Sequence, residues 1–136
     1  RGWAMGSEFA DINPRAAADT VFNALPTTKA NYGARFGTES LMQIHRTFRG
    51  DMASRAGWGE HDIPAWDAFF KILKDIGMSG IDIETTRYVT NDYIAGANDF
   101  DKTKVHADAD AYVLPEDLAA IDMADVEAKF YANVIN

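Results

Sequence analysis

The stretch Asp62-Ile63-Pro64-Ala65-Trp66-Asp67-Ala68-Phe69-Phe70-Lys71-Ile72-Leu73-Lys74-Asp75-Ile76-Gly77 decides the fold class. Asp62 stands where a helix N-cap belongs, and Pro64 falls in the first turn, where its missing N–H costs nothing. Trp66, Phe69, Phe70, Leu73 and Ile76 then recur at the 3.6-residue period, and Gly77 supplies the stop. A segment of this kind is an amphipathic helix.

The same signals recur on the N-terminal side. Asn13 and Pro14 open a helix that carries Ala17, Ala18, Val21, Phe22 and Leu25 and is stopped by Pro26. Residues 27–37 read as a turn-rich loop, after which Thr38 caps a helix with Leu41, Met42, His45 and Phe48 on one side, ended by Gly50. Residues 51–61 carry glycines and no period.

On the C-terminal side, Ile81-Asp82-Ile83 alternates like a short strand, and residues 84–95 place Tyr88, Val89 and Ile94 at helical spacing before Gly96. Residues 98–111 are polar and acidic and read as loop or a poorly formed turn of helix. Tyr112-Val113-Leu114 reads as a second short strand. Pro115 starts a short segment to Ile121, and Asp122 caps a last helix bearing Met123, Val126, Phe130 and Val134. The expected architecture is mainly α: about six helices in helix-loop-helix units with at most a minimal two-stranded β ribbon.

The chain has 136 residues, enough for one core without disulfides, and its 47% hydrophobic and 12% aromatic content suits a folded domain rather than a disordered one. Residues 1–9 read as a cloning scar, because Gly6-Ser7-Glu8-Phe9 is what common adjoining restriction sites encode. A single helical domain over 10–136 is therefore expected. The net charge of −8, unchanged without residues 1–9 because Arg1 and Glu8 cancel, argues against nucleic acid and anionic membrane and for a partner presenting an apolar or basic segment. There is no cysteine, so thiolate metal sites and thiol nucleophiles are excluded. With no signal-peptide pattern and no apolar run approaching ~18 residues, a cytoplasmic location is expected.

The segment His106-Ala107-Asp108-Ala109-Asp110-Ala111-Tyr112-Val113-Leu114-Pro115-Glu116-Asp117 resembles an EF-hand calcium loop. Asp108 and Asp110 fall at its third and fifth positions, Tyr112 at the seventh, apolar Val113 at the eighth and Asp117 at the twelfth. His106 stands where the first aspartate belongs, Ala111 replaces the glycine, and Asp117 is one methylene shorter than the usual glutamate. Phe69 to Glu84 is similar to the helix, loop and short strand of a second unit, with Lys74, Ile76, Met78 and Thr85 in place of its ligands. The resemblance implies a degenerate EF-hand module, related to light chains and calcium-binding proteins, with Ca²⁺ binding weak or lost. Asp108, Asp110, Tyr112 and Asp117 would be its residual ligands, and its helices would clasp another protein. Zn²⁺ through His106 and Asp108 would be an incomplete set.

Trp58, Trp66 and Met78 are the candidate partner-binding side chains, and five methionines suit an adaptable apolar surface. His45 reads as a core or boundary histidine, and His61 as a solvated one. No nucleophile elbow, phosphate-binding loop, paired-histidine metal helix or dinucleotide fingerprint is present, so a non-enzymatic interaction module is the leading expectation. A viral or other assembly subunit that self-associates through its helical surface is the alternative. A third reading comes from residues 57–84, which resemble the last helix and strand of sugar isomerase-like TIM barrels and would make Glu84 a metal ligand. Such a barrel takes ~250 residues.

Overall fold

The computed structural model describes the backbone of residues 1–134 and the side chains of residues 1–129. Among these residues there are nine α-helices, two single 3-10 turns and no strand. The mainly helical expectation holds, whereas six helices and a β ribbon do not. The chain forms two compact units, one built from Arg1–Gly50 and the residues from Phe100 onward, the other from Asp51–Asp99.

The first unit contains α1 (Gly2–Ile12), α2 (Pro14–Ala24), α3 (Pro26–Tyr32), α4 (Ala34–Arg49), α7 (Lys102–Asp110), α8 (Glu116–Ala119) and α9 (Met123–Val134). Residues 1–9, expected to stand outside the fold, lie almost entirely in α1, which buries Ala4 and Ala10. Asn13 ends α1 and caps α2, its side chain accepting from the Ala16 N–H at 3.1 Å, while its amide donates to Ala109 O at 2.9 Å. One residue thereby joins three helices, α1 through its backbone N–H and α2 and α7 through its side chain.

The expected loop over 27–37 is largely helical. Pro26 starts α3 instead of only stopping α2, because proline at the first helical position loses no bond. Gly33, at φ +77°, separates α3 from α4, so α4 begins four residues before Thr38. Thr38 is fully buried inside that helix, with its hydroxyl donating to Ala34 O.

Residues 98–111, expected as loop or a poorly formed turn of helix, contain the nine-residue α7. Asp101 caps it by accepting from the Lys104 N–H at 2.9 Å, and Val105 and Ala109, one turn apart, are its buried pair. A helix with so little apolar surface carries almost no periodic signal. The two expected strands are unpaired segments: Ile81 and Val113 are both solvent-exposed, and their backbones form no ladder.

The core of this unit joins Ala18 and Phe22 of α2 and Met42 of α4 to Leu118, Ile121 and Val126 from the C-terminal segment. Arg15 closes one side, donating to Ala119 O and Ile121 O. Asp122 caps α9 by accepting from the N–H groups of Ala124 and Asp125. The expected apolar positions Phe130 and Val134 lie outside the described side chains.

The second unit contains a 3-10 turn at Met52–Ser54, α5 (Ile63–Asp75), a second such turn at Thr85–Arg87 and α6 (Ile94–Asn98). The helix expected over 84–95 is thus confined to its two ends. Asp62 caps α5 as the sequence indicates, accepting from the Ala65 N–H at 3.1 Å, and Gly77 at φ +75° turns the chain after it. Two asparagines hold the aperiodic loop. Asn98 accepts from the Trp58 N–H at 2.8 Å and donates to Trp58 O at 3.1 Å, and Asn91 does the same with the backbone of His61, at 2.9 Å each way. Thr85 hydrogen-bonds to Asp67 of α5. Although α5 has the clearest amphipathic pattern in the sequence, none of its side chains is fully buried.

Candidate interaction surfaces

In the first unit an apolar groove runs along α2 and α4. One part, about 430 Å³, is lined by Met5, Phe9, Ala17, Val21, Leu41 and Val105. The other, about 290 Å³, is lined by Val21, Phe22, Tyr32, Phe36, Leu41 and Ile44. Val21 and Leu41 line both, so the two depressions are adjacent. Tyr32 and Phe36 stack with centroids 5.6 Å apart and planes 28° from parallel, forming one wall. Phe36, Ile44 and Phe48, spaced by one or two turns of α4, are each more than half exposed.

This stripe arises because α4 carries more apolar residues than one face can bury. Met42 and Ile44, two positions apart, cannot point the same way. Met42 enters the core at 4% exposure while Ile44 stays outside at 57%. The signal is present in the sequence, where Leu41, Met42 and Ile44 together exceed the single stripe of Leu41, Met42, His45 and Phe48.

A polar depression of about 370 Å³ lies elsewhere in the same unit, lined by Asp11, Arg15, His45, Arg46, Asp110 and Glu127 among others. His45 Nε2 lies 3.2 Å from Asp11 Oδ1, Arg49 Nε lies 3.0 Å from that same oxygen, and Arg46 meets Glu127 at 2.9 Å. These pairs tie α1 and α9 to α4. His45 is therefore a boundary histidine with a carboxylate partner.

The four residues of the expected cation loop are distributed over different tasks. Asp108 and Asp110 lie on helix α7, with Asp108 held by Lys104 at 2.6 and 2.8 Å. Asp110 lines the polar depression. Tyr112 donates its hydroxyl to Asp19 Oδ2 at 2.7 Å, and Asp117 pairs with Lys29 at 2.8 Å. Lys29 holds the Asp117 carboxyl below the usual carboxylate range, and the bond to Asp19 raises the Tyr112 phenol above its ordinary value. His106 meets Glu8 of α1 at 2.7 Å. Among the described residues no group of three or more histidine, aspartate or glutamate side chains is placed to hold a metal ion. A loop that is half helix points its carboxylates outward along α7 instead of converging them.

In the second unit the partner-binding candidates divide. Trp58 is buried at 3% exposure and serves as the anchor of its loop, whereas Met78 is 75% exposed. Trp66 is half-buried, with Phe69 and Phe70 around its ring. Phe69, Ile72 and Ile76 form an exposed row along α5 that Met78 and Ile81 extend past the Gly77 turn. Glu84 precedes the 3-10 turn and accepts from the Thr86 hydroxyl at 3.3 Å, an exposed position with a local partner.

No helix among the described residues is long and apolar enough to cross a membrane. Compared with known protein families, curated proteins and solved structures, the chain matches none.

Proposed function

We propose that this protein is a non-enzymatic binding module whose α2–α4 groove receives an apolar, basically flanked helical segment of another protein. The observation that carries the reading is the pair of adjacent apolar depressions that share Val21 and Leu41, flanked by Phe36, Ile44 and Phe48 on the exposed side of α4. Contiguous exposed apolar surface of this kind marks interaction sites, and a groove between helices suits an amphipathic helix with anchors at i, i+3 or i+4, and i+7. The net charge of −8 favours basic flanks on the ligand. Within the EF-hand resemblance, calcium binding is weak or lost, a reading supported by the lysines that engage Asp108 and Asp117.

Selection of random displayed peptides against the full chain tests the reading. Enriched peptides should share helical apolar anchors with Lys or Arg beside them, and their affinity should fall at least about tenfold on Ile44→Asp, a 1.4 kcal/mol effect for one buried anchor. Ile44 is 57% exposed, so the variant keeps its fold. Enriched peptides indifferent to both Ile44→Asp and Phe36→Asp would remove the groove from consideration.

A further inference from the structure

A second recess, in the unit formed by Asp51–Asp99, has a different chemistry from the groove. It is a shallow, open depression of about 380 Å³ at the N-terminal end of α5, lined by Arg55, Glu60, His61, Asp62, Trp66 and Phe69, with Ala65. Three of these are aromatic rings set at steep angles. The His61 ring stands 66° from the Trp66 plane with centroids 5.9 Å apart, and the Phe69 ring stands 80° from it, also at 5.9 Å. The half-buried indole, with Phe70 tilted 34° from it at 5.6 Å, thus has His61 and Phe69 standing at steep angles beside it.

The rings are fixed by the local chain. Trp66 Nε1, which can only donate, bonds to His61 Nδ1 at 3.2 Å, so that nitrogen accepts and the imidazole proton sits on Nε2. The His61 backbone is held on both sides by Asn91, and Asp62 fixes the first turn of α5 from which Trp66 and Phe69 project. Two carboxylates complete the lining. Glu60 accepts from the Ala56 N–H at 2.5 Å through Oε2, and Asp62 accepts from Ala65 through Oδ1. Each has a second oxygen remaining, and together they outnumber the one guanidinium of Arg55.

We infer that this recess binds an organic cation, an alkylammonium or a guanidinium, seated against Trp66 between His61 and Phe69 with Glu60 and Asp62 balancing its charge. Aromatic faces attract cations through their quadrupole, tryptophan most strongly, and carboxylates at the rim add Coulomb attraction without closing the site to water. A neutral ligand would gain only the apolar contact. The site is independent of the α2–α4 groove and stands whether or not that groove binds a peptide.

The test uses the full chain with choline, N-acetyl-lysine methylamide and 3,3-dimethylbutanol, the last being the uncharged carbon counterpart of choline. Binding is read from the indole N–H resonance of Trp66, assigned with Trp66→Phe. Choline or the lysine derivative should shift that resonance saturably, with the uncharged counterpart at least about tenfold weaker. Phe69→Leu, at an exposed ring of the recess, should weaken the Trp66 response at least about threefold with the circular dichroism spectrum unchanged. Asp62→Asn, which preserves a capping oxygen for Ala65, should weaken binding about threefold, as should Glu60→Gln. Tighter choline binding names a free quaternary ammonium as the ligand class, and tighter binding of the lysine derivative names a side chain of a partner; either order supports the recess. Equal binding of the uncharged counterpart, or no shift at Trp66 at saturating cation, overturns it.

Discussion

The Tyr112 hydroxyl donates to Asp19 Oδ2 at 2.7 Å across 93 residues of sequence, joining the segment after α7 to the middle of α2. Asp19 is 7% exposed, and its other hydrogen bond comes from the Asn23 amide at 3.2 Å. A nearly buried carboxylate is thereby satisfied from two sides, one local and one distant.

Replacing Tyr112 with Phe removes the distant donor and leaves the carboxylate with Asn23 alone. Urea unfolding should show a loss of about 1–2 kcal/mol. The bond raises the phenol above its ordinary value, so its contribution is fully present below the unfolded-state value and is lost as pH rises through the folded-state one. The wild-type chain should therefore lose stability relative to Tyr112→Phe in the alkaline range, and equal alkaline slopes for the two would contradict the assignment.

Gly37 sits in α4 directly against Phe22, where an added Cβ would collide with the ring edge. Phe22 is 4% exposed and belongs to the core, so the ring cannot swing away. Gly→Ala inside a helix ordinarily gains about 0.5–1 kcal/mol. Gly37→Ala should reverse that sign and lower the melting temperature, whereas Gly96→Ala, which meets open space in α6, should leave it level or raise it.

Asp125 is held below the usual carboxylate range by Arg35, at 2.5 Å, and by Lys129, at 3.0 Å, and Asp117 is held below it by Lys29. A carboxyl lowered in the folded state contributes stability that is present above its unfolded-state value and disappears as pH falls through the folded-state one. The urea midpoint should fall from neutral pH into the acid range. Asp117→Asn and Asp125→Asn should each flatten that fall, with the small neutral-pH effect expected of exposed pairs.

Saturation of a Ca²⁺ site at one hundred times its dissociation constant would add ~2.7 kcal/mol to stability. Because Asp108 and Asp117 are already paired with lysines and Asp110 stands on a helix, millimolar Ca²⁺ should leave the thermal unfolding curve superimposable on that in chelator. A rise in melting temperature abolished by Asp110→Ala would restore the calcium reading.

What could be read in the sequence was what local chemistry alone fixes. Asn13 with Pro14, and Asp62 with Pro64, announce α2 and α5, and both asparagine and aspartate cap as expected. Helix α7 shows in the sequence as no more than loop or a poorly formed turn, because only Val105 and Ala109 of its nine residues are buried, so it owes its place to packing rather than to its own pattern. The cation loop was misplaced for the same reason: spacing that suits a loop also suits a helix in which Asp108 meets Lys104 one turn away. In the second unit, Trp66 was visible as a partner candidate, but its neighbours were not. His61 reached it through a single indole hydrogen bond, which no periodicity encodes.

The first unit is discontinuous, leaving at Gly50 and resuming at Phe100, and its core closes only when Leu118, Ile121 and Val126 meet Phe22 and Met42. At ribosomal speeds of ~5–20 residues per second, the roughly 80 residues between Met42 and Val126 take about 4–16 s to emerge. For that interval the N-terminal helices present an uncovered apolar seam to the cell. The burden on chaperones during synthesis thus falls on α2 and α4, while the second unit, a continuous stretch of 49 residues, has emerged whole before the first one can close.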